Sequence, residues 1–221
     1  MCAKSASAEA AGTAASSRRN FAANLWIFHS NKNRRYLHIE GDLPFMHCVL
    51  LEGRADIASY QPPRAGVSFE SAPRLRSYTV ARDFAGNQTW FGYYHGASLG
   101  TEPLRARREA LCTDAAMNGA RGEMMTERQL EGHRILFDNW LVLSRAMTAA
   151  GSCPRDAEAE ALTALLNART AFELGRALQW RQCDPAIMLA VVARQLQLGN
   201  AKADLTTALL APTTLICGGR A

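Results

Sequence analysis

The sequence predicts an α+β/α/β chain, with a helix and an antiparallel meander first and a helical run closed by a hairpin second. Three observations carry this. Residues 43–52 have apolar side chains at helical spacing, with Phe45 and Val49 at i and i+4 and Met46 and Leu50 beside them. Residues 55–94 lose that period and alternate short β-branched or aromatic runs with turn residues. Beyond residue 104 the apolar residues return to helical spacing.

The elements follow in order. Residues 1–17 are Ala-, Ser- and Gly-rich with few charges and no continuous apolar stretch, so a disordered leader is expected rather than a signal peptide. Asn31-Lys32-Asn33-Arg34-Arg35 reads as a solvated basic loop, or as an arm that contacts phosphate. In the helix at 43–52, Pro44 suits a first turn and Gly53 the stop. Gln61-Pro62-Pro63 ends the next element, because proline removes backbone donors. Residues 67–69, 77–81 and 89–94 read as strands, with Ala85-Gly86-Asn87 as the turn before the last. Residues 104–117 read as a helix after Pro103, and 118–122 as a break. From there to Gly151 the pattern is helical, and Thr126 with Gln129 three residues on has the form of a capping box.

Gly151 to Pro154 is the expected domain boundary, leaving 18–150 and 151–221 as two parts. Helices are expected over 156–168, 170–178 and 184–198, the last opened by Asp184 as N-cap and Pro185 in the first turn. Gly199-Asn200 and the Thr- and Leu-rich stretches after it complete a hairpin. Three helices and a hairpin are the outline of a winged helix.

Composition narrows the function classes. The 221-residue chain carries a formal charge of +5 and a pI near 9.1, which suits a polyanion partner without requiring one. Lysine occurs only at Lys4, Lys32 and Lys202, and arginine supplies the remaining positive charge. The six cysteines and five histidines are dispersed, without the short spacing of a zinc site. There is no Gly-rich phosphate loop and no Gly-x-Ser-x-Gly elbow. No run of about 18 apolar residues exists, so no membrane span is expected and a cytoplasmic location is the default.

Several short pieces resemble one family in order and spacing. They are Leu50-Leu51-Glu52, Asp56-Ile57-Ala58-Ser59-Tyr60, Gln61-Pro62 and Arg76-Ser77-Tyr78-Thr79. Met125-Thr126-Glu127-Arg128, the stretch from Asn139 to Arg145, Gly199-Asn200, Asp204-Leu205 and Thr213-Thr214 continue the series. Together they resemble the TnsA-like endonuclease subunits of heteromeric transposases, over roughly residues 25–216. The resemblance implies a restriction-endonuclease-like (PD-(D/E)XK) N-terminal domain and a winged-helix C-terminal domain. It also implies DNA, a transposase catalytic subunit and an AAA+ ATPase regulator as partners.

The chemistry of that family needs carboxylates that hold Mg²⁺ and a lysine near the phosphate. Matching the helix by its Leu-Leu-Glu end puts Pro44 at the catalytic Glu, and matching Tyr78-Thr79 puts Ala81 at the Asp. The stretch 90–95, opposite the family's Glu-x-Lys, has neither residue. The expectation is therefore a degenerate site with no metal or other cofactor, Mg²⁺ entering only if a site survives. A shifted register offers Glu52, Asp83 and His95 as residual candidates. Their plainer readings are an exposed acid at a helix end, a turn residue and a strand-end histidine. Candidate DNA contacts are Arg34, Arg35, Arg74, Arg76, Arg105, Arg107, Arg108 and Arg194. The N-terminal half of the helix from Asp184 is almost wholly apolar, so sequence readout by it is not expected. The functions that follow are a non-cleaving DNA-associated subunit, an endonuclease with migrated ligands, or a docking module without DNA.

Overall fold

In a computed structural model the chain is described over residues 24–63, 78–95, 102–168 and 171–219. The expected leader, the strand at 67–69, Arg74 and Arg76 lie outside the described residues. Within them the protein is a mixed α/β structure.

Strands β1 (Leu25–Ser30) and β2 (Arg35–Glu40) form an antiparallel hairpin, so the basic segment 31–35 is its turn and the start of β2. Arg34 adopts a φ of 53°, a left-handed conformation uncommon for a non-glycine residue. Helix α1 (Asp42–Glu52) runs as expected and stops at Gly53. A Cβ at Gly53 would lie 2.1 Å from Trp140 Nε1, so only glycine lets the indole sit against this helix end.

Strands β3 (Ile57–Gln61), β4 (Tyr78–Asp83) and β5 (Gln88–Tyr94) form an antiparallel meander, in which β4 and β5 answer to the strands expected at 77–81 and 89–94. Helix α2 (Glu102–Met117) crosses over to β6 (Arg121–Thr126), which pairs parallel to β5 and completes the order β3-β4-β5-β6. Residues 123–126, expected to be helical, and the end of the expected break at 121–122 are therefore one strand. Gly122 is needed there because a Cβ would meet the Cys112 backbone of α2 at 2.9 Å.

The sheet separates two layers. Trp90 packs with Leu111 and Ala115 of α2 on one face, joined by Val80 and Met124. Ala81 and Phe91 face the other way, into the main core with Cys48 and Val49 of α1. This is the period-two consequence of the pleat.

The capping box at Thr126 and Gln129 opens only a five-residue helix, α3 (Glu127–Glu131). The chain turns at Gly132 and continues as α4 (Arg134–Ala150). Helix α5 (Asp156–Ala168) follows. The expected helix at 170–178 is instead strand β7 (Ala171–Glu173) and the short α6 (Leu174–Leu178). Helix α7 (Pro185–Gln197) starts as expected, the Asp184 carboxylate accepting from the Ala186 and Ile187 amides at 2.8 and 3.1 Å. Strands β8 (Ala201–Lys202) and β9 (Leu215–Gly218) close the chain in a sheet of order β7-β9-β8.

One cluster of buried side chains runs from Phe28 and Ile39 of the hairpin, through Leu51 and Trp140, to Met188, Val192 and Ile216. Asn139 of α4, almost wholly buried, fastens the β8–β9 connection. Its amide donates to the Leu205 and Ala208 carbonyls at 2.9 and 2.8 Å, and its oxygen accepts from the Leu210 amide at 2.7 Å.

Candidate functional site

The layer between α1 and the strands β4 and β5 is where the resemblance would put a metal. Pro44 is buried in the first turn of α1. Ala81 is fully buried between its neighbours Tyr60 and Thr89. Beside them runs a closed polar chain. The Tyr93 hydroxyl donates to Thr79 Oγ1 at 2.6 Å and lies 2.9 Å from His47 Nδ1. The Tyr93 hydroxyl thus joins the imidazole to Thr79 in one hydrogen-bonded chain.

Burial holds this site neutral. It lowers the His47 pKa to about 3 and pushes the Tyr93 hydroxyl and the Cys48 thiol well above their usual ranges. Phe91 meets the imidazole edge-on with centroids 4.5 Å apart. A hard dication needs an octahedron of oxygens, several of them anionic. A neutral imidazole, a phenol, a threonine hydroxyl and phenylalanine do not fit Mg²⁺. Among the described residues no three His, Cys, Asp or Glu side chains gather as a metal site.

Glu52, Asp83 and His95 are not brought together. Hydrogen bonds from Asn24 and Trp26 hold down the pKa of Asp42, at the start of α1, and the nearby His95 adds a smaller lowering. Glu52 is at the other end, roughly 15 Å away along the helix. Asp83 sits at the opposite end of β5 from His95, roughly 20 Å along the strand. Its carboxylate closes the β4–β5 turn, accepting from the Asn87 amide and side chain at 2.8 Å each.

Glu52 is not an exposed helix-end acid. It is fully buried, and each oxygen is satisfied twice. Oε1 accepts from Ser30 Oγ at 2.5 Å and from the Tyr60 hydroxyl at 2.7 Å. Oε2 accepts from Gln197 Nε2 at 2.8 Å and from the Lys32 amide at 3.3 Å. The hairpin, β3 and α7 thus meet on one carboxylate. The Lys32 ammonium caps the carbonyls of Arg54 and Ile57 at 2.8 and 2.5 Å. Burial lowers its pKa to about 8 against the pull of Glu52.

No protein-family model and no curated protein sequence matches the chain.

The arginines divide between two surfaces. Arg105, Arg107 and Arg108 are exposed on α2. There Arg105 lies 3.8 Å from Glu102, and the Arg107 guanidinium is 5.6 Å from the centre of the Tyr94 ring. Arg35 is exposed at the start of β2, opposite Ser30. Arg34 and Arg194 line one cleft of about 480 Å³ between the hairpin turn, the end of α4 and α7. Arg155, which sequence reasoning did not single out, lines it too, with His29, Asn31 and Tyr36. Among the described residues no carboxylate lines this cleft. Among the described residues, none of its three guanidiniums is paired with an acid.

Proposed function

We propose that the protein is a non-cleaving TnsA-like subunit that contacts DNA and helps assemble a transposition complex. One observation carries the reading. A helix, three antiparallel strands, a crossover helix and a parallel fourth strand are the parts the resemblance calls for, and near Pro44 and Ala81, the positions it assigns to carboxylates, stands the neutral His47–Tyr93–Thr79 chain. The second half supports the same reading. Its order α5-β7-α6-α7 followed by a two-stranded hairpin, with all three strands in one sheet, suits a winged helix.

Among the described residues no carboxylate stands with this chain to hold Mg²⁺ or polarise a phosphate, and DNA contact and assembly are the role we assign. The surface arginines supply the phosphate contacts. The start of α7 offers Pro185 and Ala186, whose side chains bring no hydrogen-bonding group to a base edge. By the same resemblance the partners are a transposase catalytic subunit and an AAA+ ATPase regulator. Among the described residues no helix is long and apolar enough to cross a membrane.

The test is a paired nicking and binding assay on supercoiled plasmid with Mg²⁺, Mn²⁺ or EDTA. Binding that weakens as salt rises, without nicking, is the expected result, because phosphate contacts release counterions. Metal-dependent nicking by the wild-type protein, absent in EDTA, would refute the non-cleaving reading. Absence of binding would leave a protein-docking role.

A further inference from the structure

We propose that the cleft bounded by Arg34, Arg155 and Arg194 is a binding site for a phosphate group carried by a nucleotide. Three arginines from three separate elements line one concavity, and among the described residues no carboxylate lines it. Like charges gathered without a counter-charge repel one another, and a bound anion removes that repulsion. Two of the three heads are positioned before any ligand arrives. Arg194 donates to the Gln197 side-chain oxygen, and Gln197 is itself held by Glu52. Arg155 donates to the Gly151 carbonyl. A guanidinium fixed through one edge keeps its other N–H groups for the forked geometry that phosphate accepts.

The rest of the lining favours a nucleotide over a bare anion. Tyr36 is 65% exposed and stands edge-on to His29, with centroids 5.0 Å apart, so it leaves one face free for a base. His29 is steadied by the Thr148 hydroxyl, 3.2 Å from its Nδ1. The Asn31 amide is spent on the Ser144 carbonyl at 3.1 Å and holds the hairpin turn against α4. The site is composite: the hairpin gives Arg34, the segment after α4 gives Arg155, and α7 gives Arg194. A ligand there ties the last helix to the first hairpin.

The inference rests on the nucleic-acid reading above in one respect only, that the phosphate belongs to a strand. A free nucleotide offers the same chemistry, and the probes separate the two. The full chain is titrated with inorganic phosphate, with a mononucleotide and with a labelled 20-nucleotide strand of mixed sequence. Thermal shift follows the first two and fluorescence anisotropy the third.

Arg34→Ala and Arg155→Ala are the primary variants, since neither side chain is buried. Arg194→Ala and Arg155→Lys extend the set, and exposed Arg82→Ala and Arg128→Ala are controls. Each cleft variant is expected to weaken strand binding about tenfold and lower the salt slope by about 1, and the controls by far less. Arg155→Lys keeps the charge and recovers only part of the affinity. Mononucleotide protection that the cleft variants abolish, without strand binding, supports the site with a free nucleotide as its occupant and counts against the DNA-subunit reading. Strand binding that the cleft variants leave unchanged overturns this inference while the DNA reading stands. No response to any of the three probes overturns it as well.

Discussion

Replacing Glu52 by glutamine changes one atom and tests whether this carboxylate is structural. The side-chain carbonyl can still accept from Ser30 and Tyr60. The new amide NH₂ then faces Gln197 Nε2 and the Lys32 amide, both donors. Gln197 cannot relieve the clash by turning over, because its oxygen already accepts from Arg194. Two hydrogen bonds to a charged acceptor are lost at a fully buried position, at about 1.5–3 kcal/mol each. The expected destabilisation is therefore about 3–5 kcal/mol, the range seen when one member of a buried charged network is removed. For a chain of this size that lowers the Tm by roughly 6–20 °C. Thermal and guanidinium unfolding of wild type, Glu52→Gln, Gln197→Ala and the double variant measure it, and the cycle should give a coupling of about 1–3 kcal/mol. A Tm unchanged within 2 °C, or raised, would refute the structural assignment. Relief of strain by the isostere would instead suit a carboxylate held for chemistry.

Three further outcomes follow from single contacts. Gly53→Ala places a methyl group 2.1 Å from Trp140 Nε1 and should cost about 1–3 kcal/mol, read as a lower unfolding midpoint and a shifted tryptophan emission. Asn139→Ala removes the bonds to the β8–β9 connection and should cost about 2–4 kcal/mol, with faster amide exchange and proteolysis confined to residues 203–214. His47, neutral in the fold with its pKa lowered to about 3, takes a proton in the unfolded chain near pH 6.5. Its contribution is whole above pH 6.5 and falls by about 1.4 kcal/mol per pH unit as pH drops toward 3. Unfolding free energies at pH 7, 6, 5 and 4 should therefore fall more steeply for wild type than for His47→Gln, and parallel curves would sink the assignment.

What the sequence made legible was local. Asp184 with Pro185, Thr126 with Gln129, and Gly53 all state a chain boundary within a few residues, and each is found where expected. Strand β6 was hidden because Arg121-Gly122-Glu123-Met124-Met125 has no clean alternation, and its pairing with β5 is delivered by the α2 crossover. Strand β7 is three residues long, too short to show a period. The fold class could be read at the level of a mixed α/β chain with a meander after its first helix.

The site was less legible because its contacts are remote in sequence. Gln197 is 145 positions from Glu52, and no spacing rule joins them. One signal was present. Phe45, Val49 and Glu52 lie at i, i+4 and i+7, so the acid falls on the apolar stripe that α1 buries. An acid on that stripe, at the end of a helix where its charge is unfavourable, needs donors from elsewhere. Arg155 left no signal at all, since only the fold carries it to Arg34 and Arg194.

The pieces that carry the family resemblance fall into two groups once their contacts are known. Glu52, Tyr60, Asn139, Trp140 and Leu205 all lie at the junction where α1, the hairpin and α4 meet the C-terminal helices. The positions at which the resemblance puts metal chemistry hold Pro44 and Ala81, and between them lies a neutral network. A buried carboxylate is costly to desolvate, and an apolar residue in its place would be simpler. Glu52 keeps its position because four donors from three elements converge on it, and those donors fix how the hairpin sits against α7. That geometry aligns Arg34 with Arg194 across the cleft. On the reading proposed here, the framework that would have served cleavage now sets the spacing of phosphate contacts. Glu52→Gln should then weaken phosphate binding at the cleft through Gln197 and Arg194, although Glu52 never touches the ligand. An undiminished affinity in a folded Glu52→Gln protein would separate the two and leave the carboxylate with a purely structural part.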